Sequence, residues 1–506
     1  MRLPPRPPLG RSTDESTVQR ISHTAASTPH PQQQRVGRAS LRQALSALDQ
    51  PVASWPIAWL RRGTGAVCLL WLARIGLESD VFWSAQGVMP HELVAEAFPY
   101  AWQPLLWPQM SAFQVQIVVA LAALPALALA LGHGGRRSAF ALFLVSVCLY
   151  RFNFLLCYVD DMVVNLMLFW CWILPASPNA NPQTAPPVPG RAARMFLVNI
   201  SLLYGVAGLA KWQSPMWRAG GALFAIDQLP ISWFPGPVPP PYPELWRWLA
   251  WLALGVEPLF ALLPWLPASR ARSGLALALV AFHGYNVVCL DVGFANALCL
   301  VAGPLVLWYR APQVEVKVGS VDLWTGRLAV AVAALLAVTT VSSLVQGQWR
   351  QPRAGPVPTE STLVSAELGS HLQLAATAGL WFVGLAQSYR LLDWIDERNF
   401  RGTVAVFGGE LRDQPLPAER LMPQGMRPAL TASYLAGVTW TPVPVVLQDK
   451  VRAGLRARLL ARACRVYPDL EAARIEFTLQ RVWLGGEEPP RRLTLADGNC
   501  PSRRPD

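Results

Sequence analysis

Of the forty-three basic residues in this chain only Lys211, Lys317 and Lys450 are lysines, and Lys211 stands in the apolar stretch Tyr204 to Trp212, "YGVAGLAKW". Arginine at such a position is permanently cationic, whereas a desolvated lysine can lose its proton near neutral pH and act as a base. A lysine snorkelling to the outer interface beside Trp212 fits the same residues. His283 is the one histidine inside an apolar segment, and Asn286 at i+3 shares its helix face. The pair suits an acid, base or hydrogen-bond donor lining a cavity. It equally suits a polar contact joining two helices, worth ~1 kcal/mol in model systems.

An ionisable side chain at membrane depth costs roughly 2.5 to 3.5 kcal/mol, so each such residue needs a partner, a wet cavity or a role. Arg74 and Glu257 are single charges of opposite sign in apolar segments and are expected to pair structurally within a bundle rather than to act in catalysis. Asp160 and Asp161 are adjacent carboxylates at the end of another segment. They can pair with Arg151 or Lys211, share a proton, or simply mark a short loop. Phosphate loops, His-Glu-x-x-His, Cys-x-x-Cys and nucleophile elbows are absent, and the six histidines are scattered, so no metal site is expected.

These residues need a scaffold, and the composition indicates which one. The mean hydropathy is +0.29, only 15% of residues are charged and 22 are Trp. Apolar runs near the ~20 residues that carry a helix across ~30 Å of hydrocarbon recur along the chain. They fall at Gly63 to Ser79, Phe113 to Leu131, Ala139 to Tyr158, Met162 to Leu174, Met195 to Leu209, Leu245 to Leu266, Leu275 to Leu290, Val292 to Trp308 and Leu328 to Val345. Leu372 to Leu392 is apolar enough for a tenth span and fits an interfacial helix equally well. Val88 to Pro108, which mixes aromatic and polar residues, suits a helix lying in the headgroup plane.

The expected fold is therefore an α-helical polytopic membrane protein with about eight to ten transmembrane helices. A net charge of +12 does not imply nucleic acid, because the basic residues fall in short clusters between the apolar runs. Arg61 and Arg62, Arg136 and Arg137, Arg191 and Arg194, Arg270 and Arg272, and Arg310 and Lys317 occupy alternate loops. The positive-inside rule puts all of them on the cytoplasmic side if the amino terminus is there, in a bacterial inner or plasma membrane.

Residues 1–50, rich in Pro, Ser, Gln and Arg, read as a disordered basic tail, and 51–346 as the bundle. A linker, 347–399, leads to 400–506, whose short β-prone stretches and the helix Asp449 to Tyr467 read as a small extracytoplasmic α+β domain. Cys464 and Cys500 alone could form a bridge, and the expectation is that they do not.

Four stretches carry a family resemblance over about Gly63 to Val345: "RIGLESDVFW", "YVDDMVVNLMLFWCWILP", "LLYGVAGLAKWQSPMWRAGGALFAI", and "VEPLFALLPWLP" continuing into "VAFHGYNVVCLDVGF". They resemble the horizontally transferred transmembrane family, which includes vitamin K-dependent gamma-glutamyl carboxylase. The resemblance implies that Lys211 matches the lysine that deprotonates reduced vitamin K, which with oxygen yields a base able to remove a glutamyl γ-hydrogen. It implies that His283 lies near substrate, with Tyr204, Asn286, Asp160, Asp161 and Trp217 as substrate-binding positions. Implied cofactors are reduced vitamin K or menaquinol with O2 and CO2, and no metal. Implied partners are the lipid bilayer and a secreted peptide or protein client. The competing expectation is a non-catalytic maturation or export factor that holds such a client through the loop Pro230 to Pro243 and the carboxyl-terminal domain.

Overall fold

The computed structural model describes residues 48–97, 102–153, 159–176, 185–310, 318–345, 400–408 and 449–501, with isolated positions at 316, 380, 385, 415–416 and 420–421. Most of the basic tail and the linker, the candidate tenth span, Lys317 and the last residues of the third expected span lie outside the described residues.

Each of the nine expected segments is helical, with shifted ends. They are α1 (Trp55–Leu77), α3 (Ala112–Ala130), α4 (Gly135–Phe152), α5 (Val159–Ile173), α6 (Arg191–Gln213), α9 (Pro243–Val256), α10 (Arg270–Cys289), α11 (Gly293–Trp308) and α12 (Ser320–Val345). Short helices lie between them: α2 (His91–Ala97), α7 (Pro215–Arg218) and α8 (Ala222–Asp227). By length and composition four helices are able to cross a membrane: Ala112–Ala130, Arg191–Gln213, Pro243–Leu262 and Ser320–Thr340. They leave much apolar surface outward, including Leu121, Leu124, Trp248, Leu252 and Val338, an arrangement that water disfavours and lipid accepts.

The polar residues Lys211, Glu257, His283 and Asn286 sit at buried positions of their helices. Helix α1 packs against α3 and α11, and α6 against α12 and the turn that follows α9. That turn lies within the sixth expected segment, Leu245 to Leu266, whose α-helical part ends before it. At Glu257 the α-helix gives way to a 3-10 turn, Glu257–Leu262, because Pro258 has no N–H to donate and its ring crowds the preceding turn. Gly208 on α6 lies against it, where an added Cβ would stand 2.8 Å from Pro258 Cβ.

Arg61, Arg136 and Arg272, expected in loops, lie instead in the first turns of helices that begin earlier than expected. Arg61 is 3% exposed and donates to the carbonyls of Cys171, Leu174 and Pro175 at the end of α5. Arg136 donates to Leu174 O there as well, and Arg272 to Leu307 O at the end of α11. Helix carboxyl ends have unmatched carbonyls and partial negative charge, so buried guanidinium groups satisfy both needs.

Beyond the bundle a small antiparallel sheet is built around β2 (Ala472–Trp483). On one side it pairs with β1 (Phe400–Gly408), matching Val404 to Phe477. On the other it pairs with β4 (Arg491–Asn499), matching Phe477 to Leu493, while β3 (Gly486–Glu487) extends its hairpin end. Helix α13 (Asp449–Val466) covers the sheet with Leu455, Leu459 and Ala463, all fully buried. The expectation of no bridge is wrong: Cys464 and Cys500 form a disulfide, their Cα atoms 5.4 Å apart. Packing of α13 on β4 brings the helix end to the strand end, a proximity that 36 residues of sequence separation conceal.

This domain is tied to two loops of the bundle. Arg462 pairs with Asp80 at 3.0 Å, Arg465 donates to Gln86 O, and Lys450 pairs with Glu96. Arg401 on β1 donates to Gln228 Oε1 and to Gly236 O.

Candidate active site in the helical bundle

Helix α6 presents Tyr204 and Lys211 on one face, since seven residues make two turns and about 10 Å of rise. Both are buried, at 4% and 2% exposure. The 3-10 turn carries Glu257 to Lys211, whose Nζ lies 2.5 Å from each carboxylate oxygen. Nζ also lies 5.5 Å from the centroid of the Trp217 ring, which α7 places there. Ser214 starts that short helix by accepting the Trp217 N–H.

Of the two readings open for Lys211, snorkelling to the interface is not what the geometry shows. Glu257 pairs within the bundle, as expected, and its partner is Lys211. Two charges so deeply buried lose several kcal/mol each of hydration, which only close bidentate geometry offsets. The pair holds one transferable proton, and moving it from nitrogen to oxygen leaves an amine and a carboxylic acid, both uncharged.

His283 is contributed by α10 and is 4% exposed. Its Nε2 lies 2.6 Å from the Tyr204 hydroxyl and its Nδ1 lies 2.7 Å from Asn296 Oδ1 on α11. Asn286, one turn further along α10, donates to the same Asn296 oxygen at 3.0 Å. Tyr204 is also hydrogen-bonded to Cys299, and Phe260 and Phe282 flank the Tyr204 and His283 rings. Lys211 lies within electrostatic reach of His283, as Glu257 does of Tyr204, and α6 carries both Lys211 and Tyr204.

No protein-family model, curated protein or solved structure matches this chain. The site must therefore be read from its own chemistry. It combines a buried lysine–carboxylate pair with a tyrosine–histidine pair, flanked by aromatic rings. Such groups are able to donate and accept protons.

The remaining expected site residues are elsewhere. Asp160 accepts the Ala295 N–H at 2.8 Å and Asp161 accepts the Trp71 indole N–H at 2.9 Å, whereas the carboxylate at Lys211 is that of Glu257. Their surroundings are acidic, with Asp291 and Glu78 held by Arg74 at 3.0 Å each. Arg74 thus pairs structurally, as its isolation in the sequence suggests. Among the described residues no three His, Cys, Asp or Glu side chains are grouped as metal ligands.

Sequence reasoning missed Asn296 and the pairing of Lys211 with Glu257. Asn296 was within reach, because an amide in the apolar run Val292 to Trp308 needs a partner as an ionisable group does. The pairing was not, since 46 residues separate its members.

Proposed function

We propose that this chain is an integral membrane enzyme of the gamma-glutamyl carboxylase-like type, acting by lysine-initiated, quinol- and oxygen-linked chemistry on a peptide or other substrate. The observation that carries this reading is the buried Lys211–Glu257 pair beside the Tyr204–His283 hydrogen bond. A lysine free in water is a cation, but one that can hand its proton to an adjoining carboxylate is available as an amine. The reactive ligand would be a reduced naphthoquinone, vitamin K or menaquinol, which when bound supplies with O2 the strong base for carboxylation by CO2. The fit rests on the groups present, a buried amine with its carboxylate and a tyrosine hydroxyl, and on the rings of Trp217, Phe260 and Phe282 beside them. Lys211 takes the hydroxyl proton, Glu257 holds the one that Lys211 releases, and Trp217 shields the amine from water.

The membrane setting is part of the proposal. Apolar outward faces on α3, α9 and α12 support the bilayer as solvent, with all nine long helices forming the embedded bundle. The amino terminus is read on the cytoplasmic side of a bacterial inner or plasma membrane, which the clustered arginines support by the positive-inside rule. The disulfide supports an extracytoplasmic carboxyl-terminal domain, because such bonds persist in oxidising compartments.

The test is incubation of the detergent-purified protein with reduced vitamin K or menaquinol, O2 and CO2, followed by mass spectrometry for quinone epoxide. Wild type forms epoxide and Lys211→Ala does not, while both elute as folded protein. Equal epoxide from both would remove Lys211 from the chemistry. The second reading, a non-catalytic maturation or export factor, would use the loop Pro230 to Pro243 and the carboxyl-terminal domain, which Arg401 brings together at Gly236. That reading prevails if a client binds and is exported unchanged in mass by Lys211→Ala protein.

A further inference from the structure

The hydrogens of the Tyr204–His283 group can be assigned from one fixed point. Asn296 Nδ2 lies 2.6 Å from Val292 O, a backbone carbonyl that can only accept. The amide is thereby oriented with Oδ1 toward His283 Nδ1 and Asn286 Nδ2. Oδ1 has lone pairs and no hydrogen, so both neighbours must donate to it. His283 therefore carries a hydrogen on Nδ1. A neutral imidazole has only one, which leaves Nε2 bare and makes the Tyr204 hydroxyl the donor in the 2.6 Å contact. The chain of donors then runs in one direction, from Tyr204 to His283, from His283 to Asn296 and from Asn296 to Val292.

We propose that Asn296 is a positioning residue that holds His283 in the Nδ1–H tautomer, making Tyr204 and His283 a second proton-transfer centre distinct from Lys211 and Glu257. With its hydrogen turned to the imidazole, the Tyr204 oxygen accepts from the Cys299 thiol with one lone pair and has the other for a ligand hydroxyl, phenolic or enolic in class. When that ligand gives its proton to the Tyr204 oxygen, the original tyrosine hydrogen passes to His283 Nε2. The products are an oxyanion on the ligand, an intact tyrosine and an imidazolium, so charge and protons balance without another reactant.

This extends the reading given under Proposed function and rests on it only for the ligand's identity. The tautomer can be tested without any turnover. The full chain, labelled with 15N-histidine and reconstituted in lipid nanodiscs, gives ring nitrogen signals for its six histidines, and His283→Gln identifies those of His283. Wild type is expected to show a protonated Nδ1 and a bare Nε2. Tyr204→Phe should keep that pattern, because Asn296 sets it, whereas Asn296→Leu should move the hydrogen to Nε2 or leave a mixture. A wild-type ring with the hydrogen on Nε2 overturns the proposal. So does loss of the pattern in Tyr204→Phe, a variant that keeps the packing if Asn296→Leu fails to fold. If wild type turns over quinol, Asn296→Leu should lower kcat on the order of 10-fold or more with little change in KM, and an unaltered kcat would also overturn it. A wild type with the expected tautomer but no quinol turnover would instead count against the quinol reading alone.

Discussion

Asp160 keeps one oxygen on the Ala295 N–H at the start of α11, while its other oxygen is buried without a hydrogen-bond partner among the described residues. A helix start favours negative charge, so the first contact stabilises the carboxylate, but the second oxygen has lost its water for nothing in return. Asp160→Asn should therefore be tolerated, retaining the cap through Oδ1 with a stability change within about 1 kcal/mol. Asp160→Leu, which loses the cap, should cost about 1 kcal/mol or more. Thermal unfolding in detergent distinguishes the two. Asp160 and Lys211 were both recognisable in the sequence as polar residues at costly depth. Their partners were not, because Ala295 and Glu257 are reached only when distant helices pack, and composition around each residue says nothing of that.

At the scale of elements, the apolar runs revealed the nine long helices because a buried or lipid-facing helix must be apolar over most of its length. The break in the sixth was less legible. A Glu-Pro pair inside an apolar run can begin, kink or end a helix, and only the packing of α6 against the turn decides the outcome. Two glycines on α6 test that packing. At Gly208 an added Cβ would stand 2.8 Å from Pro258 Cβ and 2.9 Å from its backbone nitrogen, and a backbone nitrogen in a tight turn cannot rotate away. Gly208→Ala should destabilise by about 1 to 3 kcal/mol and displace Glu257 from Lys211. At Gly205 the nearest atom is Ala261 Cβ at 3.6 Å, an ordinary contact. Gly205→Ala should be near neutral, and unfolding of the two variants side by side checks the contrast. Equal effects would mean that the turn is not held against α6.

For the whole molecule, alternating clusters of arginine suggested a topology, and what the structure shows of them is that Arg61, Arg136 and Arg272 close helix ends. The attachment of the carboxyl-terminal domain was not legible, since it depends on single ion pairs such as Arg462 with Asp80, 382 residues apart. Nor was the disulfide, because two cysteines in polar sequence show no geometry. It closes a loop of 36 residues. Replacing both Cys464 and Cys500 by Ser should cost the domain about 2 to 4 kcal/mol through the freed unfolded chain. The loss should appear as earlier proteolysis of the domain, with the melting of the helical bundle unchanged. A shift of the bundle transition by the same amount would mean that the two parts unfold as one.

The central claim is that Lys211 and Glu257 act as a unit in a site sealed from water, and a double-mutant cycle tests it most directly. Lys211→Met, Glu257→Leu and the double variant would be unfolded chemically in mixed detergent and compared with wild type. Each single change leaves a buried charge alone and should cost about 3 to 5 kcal/mol, whereas the double change should cost far less than their sum. If the two losses simply add, or if Lys211→Met costs nothing, the charges are not paired in a dry site and the proposed chemistry loses its foundation.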